Sequence, residues 1–524
     1  MKRRLSRRPA LLVAAVAMAL IVSAIGASSA SAVLKRIGKN QVVSYQPLRG
    51  KATARLLRKY DLAFGNMDYN GGPIMPTNTD YMVVWSPKGL GVFPSEYIPG
   101  LARYWTDLAH DNGMNTNTDS VLTQYNDLTG ASVHYAVTFG GVLLDTDPYP
   151  KSTCPTNGAI TNCMSDLQLQ HELQKFTTAN NLPHDLTHEY FLFTPRNVAT
   201  CFTDQAPSFG GCSALIDPFQ LAAFCAYHEN TVSNPMLFYA VEPYLVGNRF
   251  CDDGNHPNGP SDAELVGGLS HEHSESITDP IPNDAWTNGA GSNQGLEVGD
   301  QCDGQMGPYG IVPGTKDTKF NQILNGHYYW FQEEWSNAGH TCLQSYTQSE
   351  AQPTATETVT AAGGTTMNFD ASGSTAPGGV ADFSWQFNDA FAAQTQELTT
   401  PMITHTFPEA GAYSTGLAVY APDGLASGTG GIIVTGHSGF VPGFTASSSG
   451  QTVTFHGLKI ISRQPVTSYM WEFGDGTTGS GQSPTHTYAA PGTYTVTVVQ
   501  FSGVGSAFPG QGAGPVSQQT ITVS

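Results

Sequence analysis

The spacing of hydrophobic residues divides the chain into a first part of mixed structure and a last part rich in strands. Short continuous apolar runs in the first part are typical of buried strands, and apolar residues at intervals of three and four predict amphipathic helices. In the last part apolar and polar residues alternate, as they do in half-buried strands. The clearest predicted strands are residues 81–85, 137–144 and 494–498, and the clearest predicted helices are residues 101–109 and 166–179.

The first 32 residues have the pattern of a secretory signal peptide. Five basic residues from Lys2 to Arg8 precede an apolar stretch from Ala10 to Ile25, and Ala30-Ser31-Ala32 follows as a small-residue cleavage site. The apolar stretch, about 16 residues, is short for an uncleaved membrane anchor, which is the alternative interpretation. We therefore predict that residues 1–32 are removed and that the mature protein is secreted with no membrane span.

Without this leader the chain is strongly acidic. The full sequence has 23 Lys and Arg against 42 Asp and Glu, and the leader contains five of the basic residues and none of the acidic ones. The resulting net charge of −24 (18 against 42) repels nucleic acids and anionic membranes, which excludes nucleic acid as a partner. Residues 33–64, which are basic and mixed in pattern, are a candidate short pro-region.

The cysteines indicate a disulfide-bonded domain. There are eight of them, and all lie between Cys154 and Cys342. An even number in an exported protein predicts four disulfides, although about 105 pairings are possible. No Cys-x-x-Cys spacing occurs, which argues against a zinc site made of cysteines. Closeness in sequence favours the pairs Cys154–Cys163, Cys201–Cys212, Cys225–Cys251 and Cys302–Cys342.

The last part of the chain repeats itself after a Thr-, Ala- and Gly-rich stretch at residues 350–364. Each copy spans about 85 residues, enough for a small sandwich of short strands. The shared pattern is Trp-x-Phe-x-Asp, then His-Thr-aromatic, then Gly-x-Tyr. It occurs at Trp385–Asp389, His405–Phe407 and Gly411–Tyr413 in the first copy, and at Trp471–Asp475, His486–Tyr488 and Gly492–Tyr494 in the second.

On these motifs, residues 438–524 resemble the PKD (polycystic kidney disease) domain. Residues 352–437 resemble a degenerate copy, in which Asn388-Asp389-Ala390 replaces the Gly-Asp-Gly turn. The resemblance implies two immunoglobulin-like β-sandwiches that serve as structural, spacer or adhesive modules. It also implies that Trp471 and Tyr488 pack the core of the sandwich; the alternative is that they form a carbohydrate-binding face.

One motif in the chain indicates catalysis, His271-Glu272-x-x-Glu275. Residues four apart share a helix face, so His271 and Glu275 can reach one metal ion, with Glu272 beside it as a general base. This is the layout of the His-Glu-x-x-His zinc hydrolases with glutamate in place of the second histidine. The alternative is a helix whose polar residues simply face solvent.

The predicted helix around this motif has recognisable ends. Ser261-x-x-Glu264 predicts a capping box at its start, and Pro280 ends it. Gly267 and Gly268 would weaken the helix by about 1 kcal/mol each relative to alanine. They are tolerable if another element packs closely against them, which we expect here.

A third metal ligand is available in the segment that follows. Glu297 and Asp300 are both plausible, and Glu297 is slightly preferred. One histidine and two carboxylates would hold zinc, while the oxygen-rich set also admits calcium or manganese. His273 is two residues from His271 and therefore points away from the same face.

Three other groups are weaker candidates. His327, Tyr328 and Tyr329 offer polar atoms that could stabilise an oxyanion, but such an aromatic run is more typical of a core strand or helix. The segment from Cys251 to Asn255 is either a small calcium loop or, more simply, an acidic turn.

The order of motifs from His271 to Cys342 resembles secreted bacterial proteins of the zincin-like metallopeptidase type. This resemblance implies that His271 and Glu275 are metal ligands and that Glu272 is the base. Residues 65–345 also loosely resemble the plant phosphate-induced/EXORDIUM family, through the segments 69–73 and 225–251. That second resemblance implies a signalling or structural role in the cell wall instead of catalysis.

The sequence therefore predicts a multidomain secreted protein. We expect a zinc-dependent hydrolase, a peptidase, that acts on an extracellular protein or polysaccharide and uses its PKD domains as spacers or substrate anchors. The alternative is a non-catalytic secreted protein that binds a surface, matrix or carbohydrate and contains an inactive zincin-like domain. The predicted divisions are a signal peptide at 1–32, an α+β zincin-like domain at 33–348, a degenerate PKD-like β-sandwich at 352–437 and a PKD domain at 438–524.

Overall fold

The computed structural model describes most of the chain after residue 64. The described residues are 35–36, 42–47, 65–204, 206, 210–213, 215–216, 221–231, 235–288, 295–389, 396–461, 466–502 and 516–524. The predicted signal peptide and most of the candidate pro-region lie outside this set. Within the set, no helix has the length and apolar character needed to cross a lipid bilayer.

A mixed β-sheet forms the centre of the first part of the chain, and helices and short hairpins surround it. The strands of this part up to residue 287 are β1 (Lys35–Arg36), β2 (Val42–Pro47), β3 (Asp68–Tyr69), β4 (Asn78–Trp85), β5 (Val137–Asp145), β6 (Asn162–Ser165), β7 (His188–Thr194), β8 (Val198–Cys201), β9 (Cys212–Ser213), β10 (Ala222–Asn230), β11 (Phe238–Pro243) and β12 (Trp286–Thr287).

The central strands of the sheet are buried and run parallel. The order is β5-β4-β7-β11-β10-β9-β8-β6, with β2 on β10. Strands β5, β4, β7 and β11 are parallel, whereas β10 runs antiparallel to both β11 and β2. The inner strands β4, β7 and β11 are covered on both faces, which explains their near-continuous apolar sequences. Strand β10 therefore lies inside the sheet, between β11 and β2.

The predicted helices are found in place, but the first begins earlier than predicted and the one around the His-Glu motif is interrupted at Gly268, whose dihedrals are not helical. The helices of this part are α1 (Tyr97–His110), α2 (Asp119–Leu122), α3 (Asp166–Ala179), α4 (Asp262–Glu264) and α5 (Ser270–Thr278). The prediction for 166–179 is confirmed at both ends. Helix α1 begins at Tyr97, four residues before the predicted position 101. Gly100, which the prediction placed before the helix, lies inside it and packs closely against Ser261.

Two local predictions were wrong. The strand at 137–144 was expected to be buried, but β5 is the edge of the sheet and Leu144 is 40% exposed. The capping box at Ser261 does not form, because Ser261 has helical dihedrals and makes no side-chain cap. Glu264 instead accepts hydrogen bonds from the Tyr97 hydroxyl and from the backbone N–H of Leu245 (2.7 Å).

Short hairpins close this part of the chain after the sheet. They form three two-stranded ribbons. Their strands are β13 (Gly310–Ile311), β14 (Lys319–Phe320), β15 (Gln322–Leu324), β16 (His327–Tyr329), β17 (Glu334–Ser336) and β18 (Thr341–Leu343).

Two β-sandwiches with the same topology follow. In each, a three-stranded sheet faces a four-stranded one, in the orders β19-β20-β23 and β22-β21-β24-β25, then β26-β27-β30 and β29-β28-β31-β32. The first contains β19 (Thr358–Gly363), β20 (Thr366–Asp370), β21 (Asp382–Phe387), β22 (Gln396–Leu398), β23 (Met402–Thr406), β24 (Ala412–Tyr420) and β25 (Ala426–Val434). The second contains β26 (Phe444–Ser449), β27 (Thr452–Gly457), β28 (Val466–Glu472), β29 (Thr478–Ser480), β30 (Thr485–Thr487), β31 (Gly492–Ser502) and β32 (Val516–Val523).

The repeated motif residues hold the interiors of the sandwiches. Trp471 and Tyr488 are completely buried in the core of the second sandwich, which confirms the core interpretation for both residues. The repeated Asp and His form equivalent pairs, since His405 Nε2 lies 2.6 Å from Asp389 and His486 Nε2 lies 2.7 Å from Asp475. The degenerate turn of the first copy therefore keeps the same contact as the second.

Both sandwiches share hydrophobic cores with the first part of the chain. The Tyr420 hydroxyl in β24 lies 2.5 Å from Asp68 Oδ1 in β3, and Glu472 in β28 accepts a hydrogen bond from the backbone N–H of Leu186. These contacts fix the sandwiches against the sheet domain. The shared cores contain Tyr69, Trp286, Trp335, Ala418, Tyr420 and Ala426 at the first sandwich, and Met75, Phe238, Ile281, Met470, Val499 and Phe501 at the second.

The eight cysteines form four disulfides in the first part of the chain. Each joins neighbours in sequence, in the pairing predicted from closeness along the chain. The disulfides are Cys154–Cys163, Cys201–Cys212, Cys225–Cys251 and Cys302–Cys342.

Candidate metal centre

Helix α5 lies directly against β10 because two glycines precede it. A Cβ on Gly268 would overlap the side chain of Ala226 in β10, and a Cβ on Gly267 would overlap Leu245. The chain forms a π-helical turn over Leu265–Leu269, a feature found frequently at functional sites. The close packing expected at the two glycines is confirmed, and it brings the polar face of α5 onto the sheet.

Three of the predicted ligands meet beside this helix. His271 Nε2 lies 3.1 Å from Glu275 Oε1 and 3.6 Å from Asp300 Oδ1. His271 and Glu275 are close because they are four residues apart in α5. Asp300 is close because it lies in a helical turn, Asp300–Cys302, that the Cys302–Cys342 disulfide holds in place. The side chains are buried, and neither His271 Nε2 nor Asp300 Oδ1 has a hydrogen-bond partner. One nitrogen and two oxygens therefore converge on one point.

The imidazole of His271 is held in the tautomer that a metal ligand needs. Gln332 Nε2 donates to the carbonyl oxygen of Gly299 (2.9 Å), so Gln332 Oε1 faces His271 Nδ1 at 3.2 Å. An amide oxygen can only accept, so the proton resides on Nδ1 and Nε2 presents a lone pair. A lone pair that faces two carboxylates requires a proton or a cation between them, which is the arrangement of a metal-binding histidine.

Glu272 points inward, toward the sheet. Its Oε2 lies 3.1 Å from Nδ1 of His228 in β10, and its Oε1 accepts a hydrogen bond from the backbone N–H of Gln46 in β2 (3.1 Å). His228 Nδ1 is also 3.6 Å from Glu275 Oε2. The interpretation of a helix with solvent-facing polar residues is therefore wrong, because close packing on β10 buries that face.

Of the two candidate third ligands, Asp300 lies beside His271 and Glu297 lies beside His228. Glu297 Oε2 is 3.5 Å from His228 Nε2, and neither Glu297 oxygen has a hydrogen-bond partner. The backbone N–H of Glu297 donates to Asp300 Oδ2 (3.2 Å), which turns the other Asp300 oxygen toward His271. The structure thus brings both acids to the cluster, but on different sides of Glu275.

Burial and mutual charge shift the pKa values in this cluster. Burial lowers the pKa of His271, but the negative charge of Glu275 and the nearby carboxylate of Asp300 hold it well above its usual range. Burial and then the charge of Glu275 raise the pKa of Asp300 to about 8 and that of Glu297 well above its usual value. Burial also acts to raise the pKa of Glu275, but His271 and His228 together lower it. A cation would replace the protons that this cluster otherwise holds.

The cluster is closed from solvent. His271, Glu272 and Glu275 are completely buried. Strand β2 pairs antiparallel with β10, with residue 44 opposite His228 and Gln46 opposite Ala226, and so runs beside the cluster. A polymeric substrate can reach Glu272 only if the covering segments move.

The remaining sequence candidates near the motif make their contacts elsewhere. His273 Nε2 is 3.6 Å from Asp80, on the side of α5 away from His271, as expected. His327 Nδ1 (2.7 Å) and the Tyr329 hydroxyl (2.6 Å) both bond to Asp107. They are therefore part of a polar contact between β16 and α1 and do not contribute to the cluster.

The segment from Cys251 to Asn255 has the contacts of an acidic turn. Asp252 accepts hydrogen bonds from the backbone N–H groups of Gly247 and Gly254, both at 2.7 Å. Its Oδ1 also lies 2.7 Å from His256 Nε2. The carboxylate is thus engaged by protein donors, which favours the simpler of the two interpretations.

Sequence reasoning missed two residues of the cluster, His228 and Gln332. His228 lies next to Glu229 in β10, which is buried along most of its length. An ionisable pair inside an otherwise apolar strand is the signal by which it could be found. Gln332 gives no such signal, because a neutral amide in an aromatic segment is unremarkable in sequence.

The last part of the chain contains two PKD domains. The family model for the PKD domain matches residues 350–435 and 442–507, one match for each copy of the repeat. None of the curated proteins compared with the chain matches it.

Several solved structures are similar to parts of the chain. The PKD1 domain of the Vibrio cholerae metalloprotease PrtV is 30% identical over 16% of this chain and 91% of that chain, with a TM-score of 0.14. The PKD1 domain of Vibrio anguillarum Epp is 25% identical over 16% of this chain and 92% of that chain, also with a TM-score of 0.14. Carbohydrate-binding modules of the β-sandwich superfamily are 17% identical over 33% of this chain and 97% of that chain, with a TM-score of 0.16.

Proposed function

We propose that the chain is a secreted zinc-dependent hydrolase, a peptidase, whose zinc ligands are His271, Glu275 and Asp300. The observation that carries this proposal is the lone pair of His271 Nε2, buried and unpartnered, facing two carboxylate oxygens. One nitrogen and two oxygens suit zinc better than calcium, which prefers oxygen ligands alone. Zinc bound there would supply Lewis acidity and lower the pKa of a water molecule toward neutrality.

Glu272 is the residue placed to act as the general base. It follows His271 in α5, and its carboxylate is positioned by the Gln46 N–H and by the imidazole of His228. Burial raises the pKa of Glu272 above its usual value although His228 acts in the opposite direction. A raised pKa brings the carboxylate closer to the pH at which a base transfers protons efficiently.

The rest of the chain supports an extracellular setting. The leader pattern at residues 1–32, the four disulfides and the two PKD domains are features that exported proteins combine. Because the sandwiches share cores with the sheet domain, we propose that they brace the metal centre and present a fixed surface to the substrate. The substrate we propose is an extracellular protein, with a polysaccharide as the alternative.

Metal content and one substitution test this function. The purified mature protein should retain zinc through dialysis and lose it to a chelator. Glu272→Gln should keep zinc at His271 and lower the hydrolysis of a mixed protein digest by about 10²–10⁴-fold. The matched control, Glu409→Gln on the exposed surface of the first sandwich, should hydrolyse at the wild-type rate. Equal rates in all three proteins would exclude Glu272 as the base, and a purified protein that binds no transition metal would overturn the proposal.

The complete burial of His271, Glu272 and Glu275 favours a second candidate, a non-catalytic protein that binds an extracellular surface. In that case the cluster is a structural core and the PKD domains provide the binding. The full-length protein would then co-sediment with a bacterial cell-wall preparation or insoluble chitin, and Glu272→Gln would co-sediment equally. Hydrolysis of the protein digest by the wild type would contradict this second candidate.

A further inference from the structure

Glu275 lies between two histidines that come from different elements. Its Oε1 is 3.1 Å from Nε2 of His271 in α5, and its Oε2 is 3.6 Å from Nδ1 of His228 in β10. A carboxylate that presents one oxygen to each of two ligand sets can bridge a pair of cations, which in two-metal sites lie about 3.5–4 Å apart. The position of Glu275 therefore divides the cluster into two halves.

His228 is oriented as a metal ligand in the same way as His271. Its Nε2 lies 3.3 Å from the backbone carbonyl oxygen of Asp279, an atom that can only accept a hydrogen bond. The proton therefore resides on Nε2, and Nδ1 presents its lone pair to Glu272 Oε2 at 3.1 Å. Two acceptor atoms at this distance require a proton or a cation between them. Both histidines thus have their outer N–H tied to an oxygen and their inner lone pair directed at carboxylates.

The donor atoms form two separate groups. His271, Glu275 and Asp300 each offer an atom within 4.8 Å of the others, and His228, Glu272 and Glu275 do the same. Glu297 adds a further carboxylate on the Nε2 side of His228. It is completely buried, neither of its oxygens is hydrogen-bonded, and its Oε2 lies 3.5 Å from His228 Nε2.

The charge of the cluster suits two cations better than one. Glu272, Glu275, Glu297 and Asp300 carry four negative charges when all are ionised, and two neutral imidazoles add none. With one divalent cation, two of these carboxylates would have to take up protons, because burial strongly disfavours uncompensated charge. Two divalent cations would balance the four carboxylates.

We propose that the centre binds two divalent cations, the first at His271, Glu275 and Asp300 and the second at His228, Glu272 and Glu275, with Glu275 as the bridge. The proposal rests on the proposed function for the first position alone. Imidazole nitrogen combined with carboxylate oxygen suits zinc or manganese at the second position. Glu272 cannot be a ligand and a free base together, so filling the second position lowers the turnover of the singly loaded enzyme.

The number of bound cations tests the proposal directly. Metal-free, full-length protein is loaded with Zn²⁺, freed of excess by gel filtration and analysed for zinc by mass spectrometry. The wild type should bind two equivalents, and His228→Gln should bind one. The matched control, His437→Gln, changes an exposed histidine and should still bind two.

A second measurement tests the bridge through the magnetic coupling between the two cations. Wild-type protein loaded with two Mn²⁺ should give the electron paramagnetic resonance spectrum of an exchange-coupled pair, and His228→Gln should give the six-line spectrum of a single ion. Circular dichroism and an unchanged melting temperature establish that the variant is folded.

The outcomes separate the two proposals. One equivalent in the wild type overturns the second position and leaves the first, whereas none overturns both. Two equivalents in wild type and in folded His228→Gln alike place the second cation elsewhere and overturn the proposal. Two uncoupled Mn²⁺ spectra in the wild type overturn the bridging role of Glu275.

Discussion

Gly268 and Ala226 pack so closely that no side chain larger than a methyl group separates the helical backbone before α5 from strand β10. A Cβ on Gly268 would overlap the Ala226 Cβ and would approach Glu242 Oε2 at 3.1 Å. Because Ala226 and His228 point to the same face of β10, this contact also sets the distance between His228 and Glu272. The two glycines before the motif therefore position the candidate metal centre, although they bear no functional group.

Gly268→Ala should separate the helix from the strand. We expect the free energy of unfolding to fall by about 1–3 kcal/mol, the usual cost of overpacking a tight contact. The zinc affinity should fall as well, because α5 carries His271 and Glu275. Urea unfolding and a zinc titration measure the two effects. Gly91→Ala is the matched control, since a Cβ there meets nothing within 4 Å, and an equal loss in both variants would contradict the role of Gly268.

The sequence predicted the parts of the centre that depend on local spacing. His271 and Glu275 are four apart on one helix, so their meeting follows from helical periodicity. Asp300 reaches His271 only because a turn, held by the Cys302–Cys342 disulfide, places it there. Whether Asp300 or Glu297 is the third ligand depends on the direction in which that turn faces, which the sequence does not give. His228 lies in a strand that only the sheet order brings to α5, and periodicity carries no information on sheet order. The same limit applies to the docking of the sandwiches, whose internal pattern was visible in sequence but whose contacts with the sheet domain were not.

Gln46→Pro should open the cover over the metal centre. Proline lacks the N–H that donates to Glu272 Oε1, and its ring is poorly tolerated within a strand paired to its neighbour. We expect faster amide hydrogen exchange along β10, because the strand loses the protection of β2. Gln46→Ala keeps the N–H and is the matched control. Unchanged exchange along β10 in the proline variant would show that β2 does not protect the site.

Gly416→Ala should loosen the first sandwich from the sheet domain. A Cβ on Gly416 would lie 2.8 Å from the carbonyl oxygen of Tyr69, which is backbone and cannot rotate away. We expect the radius of gyration from X-ray scattering to rise and the chain between the two parts to become sensitive to protease. Gly492→Ala in the second sandwich, where the nearest atom is 3.4 Å away, should change neither quantity. A compact, resistant Gly416→Ala protein would argue against tight docking at this point.

Removing the Cys302–Cys342 disulfide should weaken the metal centre more than removing a distant one. The double variant Cys302→Ala, Cys342→Ala frees the turn that carries Asp300, so the zinc affinity should fall along with about 2–5 kcal/mol of stability. The corresponding double variant of Cys154 and Cys163 loses stability but should keep the zinc affinity, because that disulfide lies in a separate core. A titration of both proteins with zinc distinguishes them, and equal affinities would show that the turn holds its position unaided.

The pair of Asp252 and His256 should contribute a stability that depends on pH. Burial raises the pKa of Asp252, but hydrogen bonds from His256 and two backbone N–H groups lower it overall, and the bond with Asp252 raises the pKa of His256. For Asp252 the stabilisation is present above its unfolded pKa of about 3.9 and is lost as the pH falls through the lower folded value.

For His256 the stabilisation is complete below its unfolded pKa of about 6.5 and is lost as the pH rises through the higher folded value. His256→Asn should therefore lower the free energy of unfolding most between about pH 4 and pH 6.5, by less than about 1 kcal/mol because the pair is partly exposed. The difference from wild type should shrink at pH 8.5. Urea unfolding at pH 5.5 and 8.5 measures it, with His437→Asn as the exposed control. A difference that stays constant with pH would mean that His256 acts through packing and not through its charge.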